Sequence, residues 1–125
     1  MKKIKNKIMH RDKRGLIIDL LEKKNINSIT FITQKKGTVR GNHFHKKTIQ
    51  WNYLIKGKIE LFAKKNKQNL KKIILSEGDI SETEKNEKHA IKALKDSEFL
   101  VFTQGPRGGK NYEKDTFRLL KPLVK

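Results

Sequence analysis

His43 and His45 are separated by one residue, in a chain that otherwise reads as short β-forming runs broken by polar turns. Side chains on a strand alternate with period two, so a strand here sets both imidazoles on one face. No other feature limits the fold as much, because it requires an extended segment, a sheet to hold it and an enclosed side for both rings. Gln50 follows shortly after, and His89 stands alone downstream. A curled sheet would let these four side chains converge on one pocket inside a barrel.

The rest of the chain fits a barrel. Residues 16–20, 28–33, 39–45, 48–55, 58–63, 70–75, 89–94 and 98–103 are rich in Ile, Val, Leu, Phe and Thr. Between them fall turn signals at Lys36-Gly37, Lys56-Gly57, residues 65–69, Glu77-Gly78-Asp79 and Lys95-Asp96-Ser97. Short strands at regular spacing indicate an all-β sandwich or barrel. Residues 17–24 are the one segment that also admits a short helix. The 125 residues suffice for a single domain, 1–125, with one core.

Alternation divides the segment from Thr48 to Lys56 into two unlike faces. Thr48, Gln50, Asn52 and Leu54 share one; Ile49, Trp51, Tyr53 and Ile55 share the other. If Gln50 points inward beside the histidines, the bulky face points away and needs cover. A subunit interface supplies it, which predicts a homodimer; packing against a second sheet is the alternative.

Composition sets limits on function. With no cysteine there is no disulfide, thiolate nucleophile or sulfur ligand for a metal. The basic start of the chain lacks the apolar run of a signal peptide, and no segment approaches the ~20 apolar residues that span a bilayer. A cytoplasmic protein without a membrane partner is expected. The net charge of +18 invites a nucleic-acid reading. However, only five of the 31 basic residues are arginine, the residue suited to bidentate recognition, and the lysines are scattered. An AT-biased genome produces such Lys, Asn and Ile usage, so nucleic acid is not the expected partner.

The spacing Gly37-x5-His43-x-His45-x4-Gln50-x6-Gly57 resembles the first motif of the cupin superfamily, with Gln in place of the usual Glu. Gly78 and His89 stand eleven residues apart, as in the second cupin motif. Within that motif Glu84, Asn86 and Ala93 replace the usual Pro, Gly and Asn. Asn tolerates the left-handed backbone that the glycine would supply. Val39-Arg40-Gly41-Asn42-His43 is similar to a strand of RmlC-like sugar-nucleotide cupins, among them dTDP-4-keto-sugar 3,5-epimerases and 3,4-ketoisomerases. The cupin modules of capsular-polysaccharide reductases carry a similar strand, and Asp12-Lys13-Arg14-Gly15 resembles a motif near the start of many of these proteins.

The resemblance implies a cupin β-barrel (a double-stranded β-helix, or jelly roll) and two chemistries. In one, His43, His45, His89 and Gln50 ligate a divalent metal, Zn, Fe, Ni or Mn. Neutral Gln50 binds less strongly than a carboxylate and weakens this option. In the other, no metal is needed: His43 and His45 act as acid–base groups on a keto sugar, and Arg40 holds a phosphate or the developing oxyanion. The expected function is therefore isomerisation or epimerisation of a nucleotide-linked keto sugar in polysaccharide biosynthesis. The alternative is a non-catalytic cupin that binds a metal or carbohydrate.

Other residues have plainer expectations. The epimerases use a tyrosine acid, which the sequence does not place: Tyr53 falls on the outer face and Tyr112 lies in a stretch without a readable pattern. His10 reads as a hydrogen-bonded core or surface group rather than a ligand. Residues 104–111 imitate a phosphate loop, but Asn111 follows the lysine where Ser or Thr is required. They read as a turn, with Arg107 and Lys110 available to face a diphosphate.

Overall fold

The computed structural model describes residues 1–125. Twelve strands and one short helix follow in order: β1 (Lys2–Ile4), β2 (Lys7–Asp12), β3 (Gly15–Asp19), β4 (Ser28–Gln34), β5 (Val39–Phe44), β6 (Ile49–Lys56), β7 (Ile59–Lys64), β8 (Lys71–Leu75), β9 (Ile80–Thr83), β10 (Lys88–Ala93), β11 (Ser97–Gln104), α1 (Lys110–Lys114) and β12 (Phe117–Arg118). One five-stranded sheet runs β1-β9-β6-β11-β4 and the other β12-β5-β10-β7-β8. Strands β2 and β3 form a separate hairpin. This is the expected all-β cupin barrel. The helix option at 17–24 is not realised: Gly15–Asp19 is strand, where β-branched Ile17 and Ile18 favour an extended backbone.

The core lies between the two sheets. Leu54, Ile59, Leu61, Ala63, Leu75, Phe99 and Val101 form its centre, joined by the Met1 side chain. In β11, Ser97, Phe99, Val101 and Thr103 point inward and alternate with less buried neighbours, the period-two pattern of a half-buried strand. Burying Leu54, Phe99 and Ile59 contributes about 1.5–3 kcal/mol each.

In β6 the polar face turns inward: Gln50 and Asn52 reach the cavity, and Leu54 reaches the core. The bulky face lies outside the barrel and does not pack on the second sheet. Trp51 is nonetheless buried within its own chain, donating its indole N–H to Glu82 Oε1 at 2.9 Å with the Lys24 ammonium 5.9 Å from the ring centroid. Ile55 remains exposed and Tyr53 half-buried.

Two glycines set the strand geometry near the site. Gly41 has φ 90°, and a Cβ there would stand 3.0 Å from the His89 carbonyl oxygen, so β5 and β10 approach closely only with glycine. At Gly57, φ 99°, a Cβ would lie 2.5 Å from the Asp96 carbonyl. Asn86 adopts φ 62°, the left-handed conformation expected of it in place of glycine, and its N–H donates to the His45 carbonyl at 2.6 Å.

Candidate active site

Strand pairing brings the distant histidine to the close pair. His43 on β5 stands opposite His89 on β10, with a bulge between His89 and Ala90. The His43 ring centroid lies 4.7 Å from those of both His45 and His89. Ring nitrogens of His43, His45 and His89 all come within 4.8 Å of one another. The three histidines singled out in the sequence form one cluster.

They are not equivalent. His43 and His89 line a cavity of about 420 Å³, together with Gln50 and Arg40. His45 lies behind this wall, 2% exposed. His45 Nδ1 donates to the Asp115 carbonyl at 2.8 Å, and His89 Nδ1 donates to the Glu87 carbonyl at 2.9 Å. Because a carbonyl only accepts, each ring keeps its lone pair on Nε2. Nε2 of His45 is buried with no partner in full hydrogen-bond geometry, and the Gln50 side chain stands close enough to favour the protonated ring.

The cluster is electrically neutral near pH 7. Burial, then the neighbouring His89 and His45, then Arg118 push His43 down to about 3. Burial likewise pushes His89 down to about 4; its bond to Glu87 opposes this, while His45 and the Met1 amino group add to the fall. Burial also lowers His45, against the Asp115 carbonyl and carboxylate.

Thr116 and Arg118 carried no recognisable signal in the sequence, and Tyr112 could not be placed from it. Residues 105–118 fold back over the barrel mouth and supply Arg107, Tyr112, Thr116 and Arg118 to the cavity wall. Strand β12 pairs with β5, placing Arg118 opposite His43. Phe117 stacks on Phe44 with centroids 5.2 Å apart. The Tyr112 ring lies 5.3 Å from that of His45, and the Arg107 guanidinium sits over the same tyrosine at 4.4 Å. Arg107 also donates to Thr30 Oγ1 at 3.1 Å. Of the two basic residues expected to face a ligand here, Arg107 reaches the cavity, whereas Lys110 is exposed on α1 and does not line it.

Arg40 sits at the rim, its guanidinium 3.3 Å from the Thr33 carbonyl. The Asp12-x-Arg14-Gly15 stretch is the turn of the β2–β3 hairpin, where Asp12 accepts hydrogen bonds from Arg14 Nη2 at 2.6 Å and pairs with His10 Nε2 at 2.9 Å. Of the core and surface alternatives for His10, the structure shows the surface one, outside the histidine cluster.

The donor set also fits a metal. A ligating imidazole commonly donates its second ring nitrogen to a backbone carbonyl, as His45 and His89 do here. Three neutral imidazoles with converging nitrogens, one of them buried without a partner, suit a first-row divalent ion. His43, His45 and His89 would hold it, with Gln50 as an amide oxygen donor. An ion held there would supply Lewis-acid polarisation of a carbonyl oxygen.

The barrel, with its inward histidine cluster, has the RmlC-like cupin fold. Residues 10–117 match the polysaccharide biosynthesis C-terminal domain family, and the chain belongs to that family. No curated protein matches it in sequence. Among solved structures, the TDP-quinovose 3,4-ketoisomerase of Campylobacter jejuni superposes with TM-score 0.79 at 22% identity, over 94% of this chain and 92% of that one. A 3,4-ketoisomerase from Helicobacter canadensis gives TM-score 0.78 at 24% identity, covering 94% and 90%. The dTDP-4-dehydrorhamnose 3,5-epimerase of Sulfolobus tokodaii gives 0.70 at 21%, covering 82% and 68%. No helix is long and apolar enough to cross a membrane.

Proposed function

We propose that this cupin is an isomerase or epimerase acting on a nucleotide-linked 4-keto sugar in polysaccharide biosynthesis. One observation carries the reading: the neutral histidine cluster opens into a cavity whose only charged side chains are arginines. Arg40, Arg107 and Arg118 line it, with no lysine and no carboxylate, although lysine dominates the chain's positive charge. Guanidinium groups offer forked donors matched to phosphate oxygens, which suits the diphosphate of a nucleotide sugar. The ketoisomerases and epimerases of the same fold support this choice of substrate.

His43 is the base because, unlike His45, it faces the cavity. It removes the proton on the carbon beside the keto group, and the electron pair of that C–H bond forms an enediolate. Delivery of the proton to the former carbonyl carbon, with the hydroxyl proton passing between the two oxygens, moves the keto group. Its return to the original carbon from the opposite face inverts that centre instead. Arg40 stabilises the oxyanion or a phosphate from the rim. Tyr112, on the same wall, is the candidate proton donor that the sequence did not place.

The test is solvent deuterium wash-in with a panel of dTDP- and UDP-4-keto sugars, followed by proton NMR. Exchange that requires His43 supports the enzyme. Absence of exchange with every member favours the non-catalytic binding module. The unpartnered Nε2 of His45 favours a metal as a second reading of the same cluster. Metal analysis of protein purified without an affinity tag decides it, and less than about a tenth of an equivalent would refute it.

The proposed assembly is a homodimer. The β2–β3 hairpin pairs only with itself and exposes Ile8, Met9, Leu16 and Ile17. A lone two-stranded hairpin is marginal in water. Ile29 and Phe31 are exposed on the edge strand β4, beside half-buried Leu100 and Phe102. A second copy of the chain covers both surfaces reciprocally, as two-fold symmetry requires.

A further inference from the structure

We propose that Asp115 is the positioning residue of the histidine site, fixing the tautomer of His45 and tying the C-terminal segment to the end of β5, which bears His43 and runs directly into His45. The inference rests on the histidine-site reading above. Asp115 acts at two points. Its carbonyl oxygen accepts the His45 Nδ1–H bond at 2.8 Å, which keeps the ring proton on Nδ1 and leaves the lone pair on Nε2 within the three-histidine cluster. Its carboxylate accepts from the backbone N–H groups of Lys46 and Lys47, both at 3.1 Å, and from Thr48 Oγ1 at 2.7 Å. These three donors form the turn immediately after His45.

The carboxylate is buried, with Asp115 only 4% exposed and no side-chain cation bonded to it. A buried charge without a counter-ion persists only where hydrogen-bond donors replace its water shell. Here every donor comes from residues 46–48. Asp115 therefore grips the end of the histidine strand with its side chain and the histidine itself with its backbone. Movement at one point displaces the other.

Asn42, in the same motif, supplies an independent second anchor. Its carbonyl accepts from Leu119 N at 2.9 Å, its Oδ1 from Leu123 N at 2.8 Å, and its Nδ2 donates to the Val124 carbonyl at 3.0 Å. Between the two anchors lie Thr116 and Arg118, both lining the cavity. The C-terminal segment is thus held on each side of His43, and its site residues take their positions from those two pins.

The test is the protonation pattern of the histidine rings in 15N-labelled protein at pH 7.5, by long-range proton–nitrogen correlation. In the wild type, His45 should show a single Nδ1–H tautomer. In Asp115→Ala that signal should shift to a mixture containing Nε2–H, while His89, tethered separately to Glu87, stays unchanged and reports an intact barrel. Thr48→Val removes one carboxylate donor and should move His45 in the same direction by less. It is the readout if Asp115→Ala does not fold. With a turned-over keto sugar, kcat should fall about 10–100-fold while KM moves less than ~3-fold. An Nε2–H tautomer in the wild type overturns the proposal. So does a variant that melts earlier with its His45 signal unchanged. The ring measurement needs no substrate, so failure of the isomerase reading and failure of this proposal are distinguishable.

Discussion

His43 and His89 face each other across the β5–β10 pair, their rings 4.7 Å apart at centroid and nearly perpendicular at 87°. Neither can hold a proton easily in this position, and stability should record that. Both are lowered in the folded chain, to about 3 and about 4 from the ordinary 6.5. Below pH 6.5 the unfolded chain therefore binds more protons, so stability is complete above that value and declines as the pH drops toward 4. Buried His89 alone should cost roughly 1.4 kcal/mol per pH unit within this window, with half-buried His43 adding less. Urea titrations between pH 7 and 5 measure it, and His89→Gln should flatten the slope. A wild-type curve with no slope there would show that the histidines are not desolvated.

The same depression shapes the activity profile. An ordinary histidine base loses kcat/KM below pH 6.5, because the free enzyme's protonation sets that limb. With His43 pushed down to about 3, kcat/KM should stay level from pH 7.5 to 5.5. An acidic limb near 6.5 would assign the base to a different group.

His43→Ala should reduce deuterium wash-in by about 10²–10⁴-fold, the usual contribution of a positioned general base. His45→Ala should cost less, since His45 lies behind the cavity wall and touches substrate only through its neighbours. Equal losses in the two variants would give both rings the same direct role. Side-by-side exchange rates by NMR decide between them.

Arg118 faces His43 in register and bonds only the exposed Glu113, at 3.2 Å. Arg118→Ala should raise KM about 10-fold with kcat within ~3-fold, as expected for a charge-assisted phosphate contact made equally in ground and transition states. Arg118→Lys should recover only part of the loss, because an ammonium lacks the guanidinium fork. Steady-state kinetics with a nucleotide sugar would measure both. A kcat effect larger than the KM effect would move Arg118 to the reacting centre.

Phe31 and Ile17 are 55% and 57% exposed, on the edge strand and on the free hairpin. Light scattering coupled to gel filtration should give a dimer of this 14.6 kDa chain, and Phe31→Glu combined with Ile17→Glu should give a monomer. A wild-type monomer at micromolar concentration would leave the hairpin without its proposed cover.

The eight strand segments read from β-branched and aromatic runs all lie within or overlap observed strands. Alternation is a local property: the inward turn of Gln50 and Asn52, and the outward turn of Tyr53, follow from counting residues. Motif spacing led to His43, His45 and His89 in the same way, because each motif spans one strand and its turn. Strands β1, β2, β9 and β12 were not legible. They are short or lysine-rich, and their pairing partners make them strands; their composition does not.

The sequence by itself determined the barrel and the identity of the three histidines, since period-two patterning and motif spacing are written along neighbouring residues. Tertiary structure decided which histidine faces the cavity, and that Tyr112, Asp115 and Arg118 belong beside it. Those placements depend on β12 pairing with β5 and on hydrogen bonds between residues 67 to 82 positions apart, which no local spacing encodes. Burial beneath that segment removed His45 from the cavity wall and gave Asp115 its place.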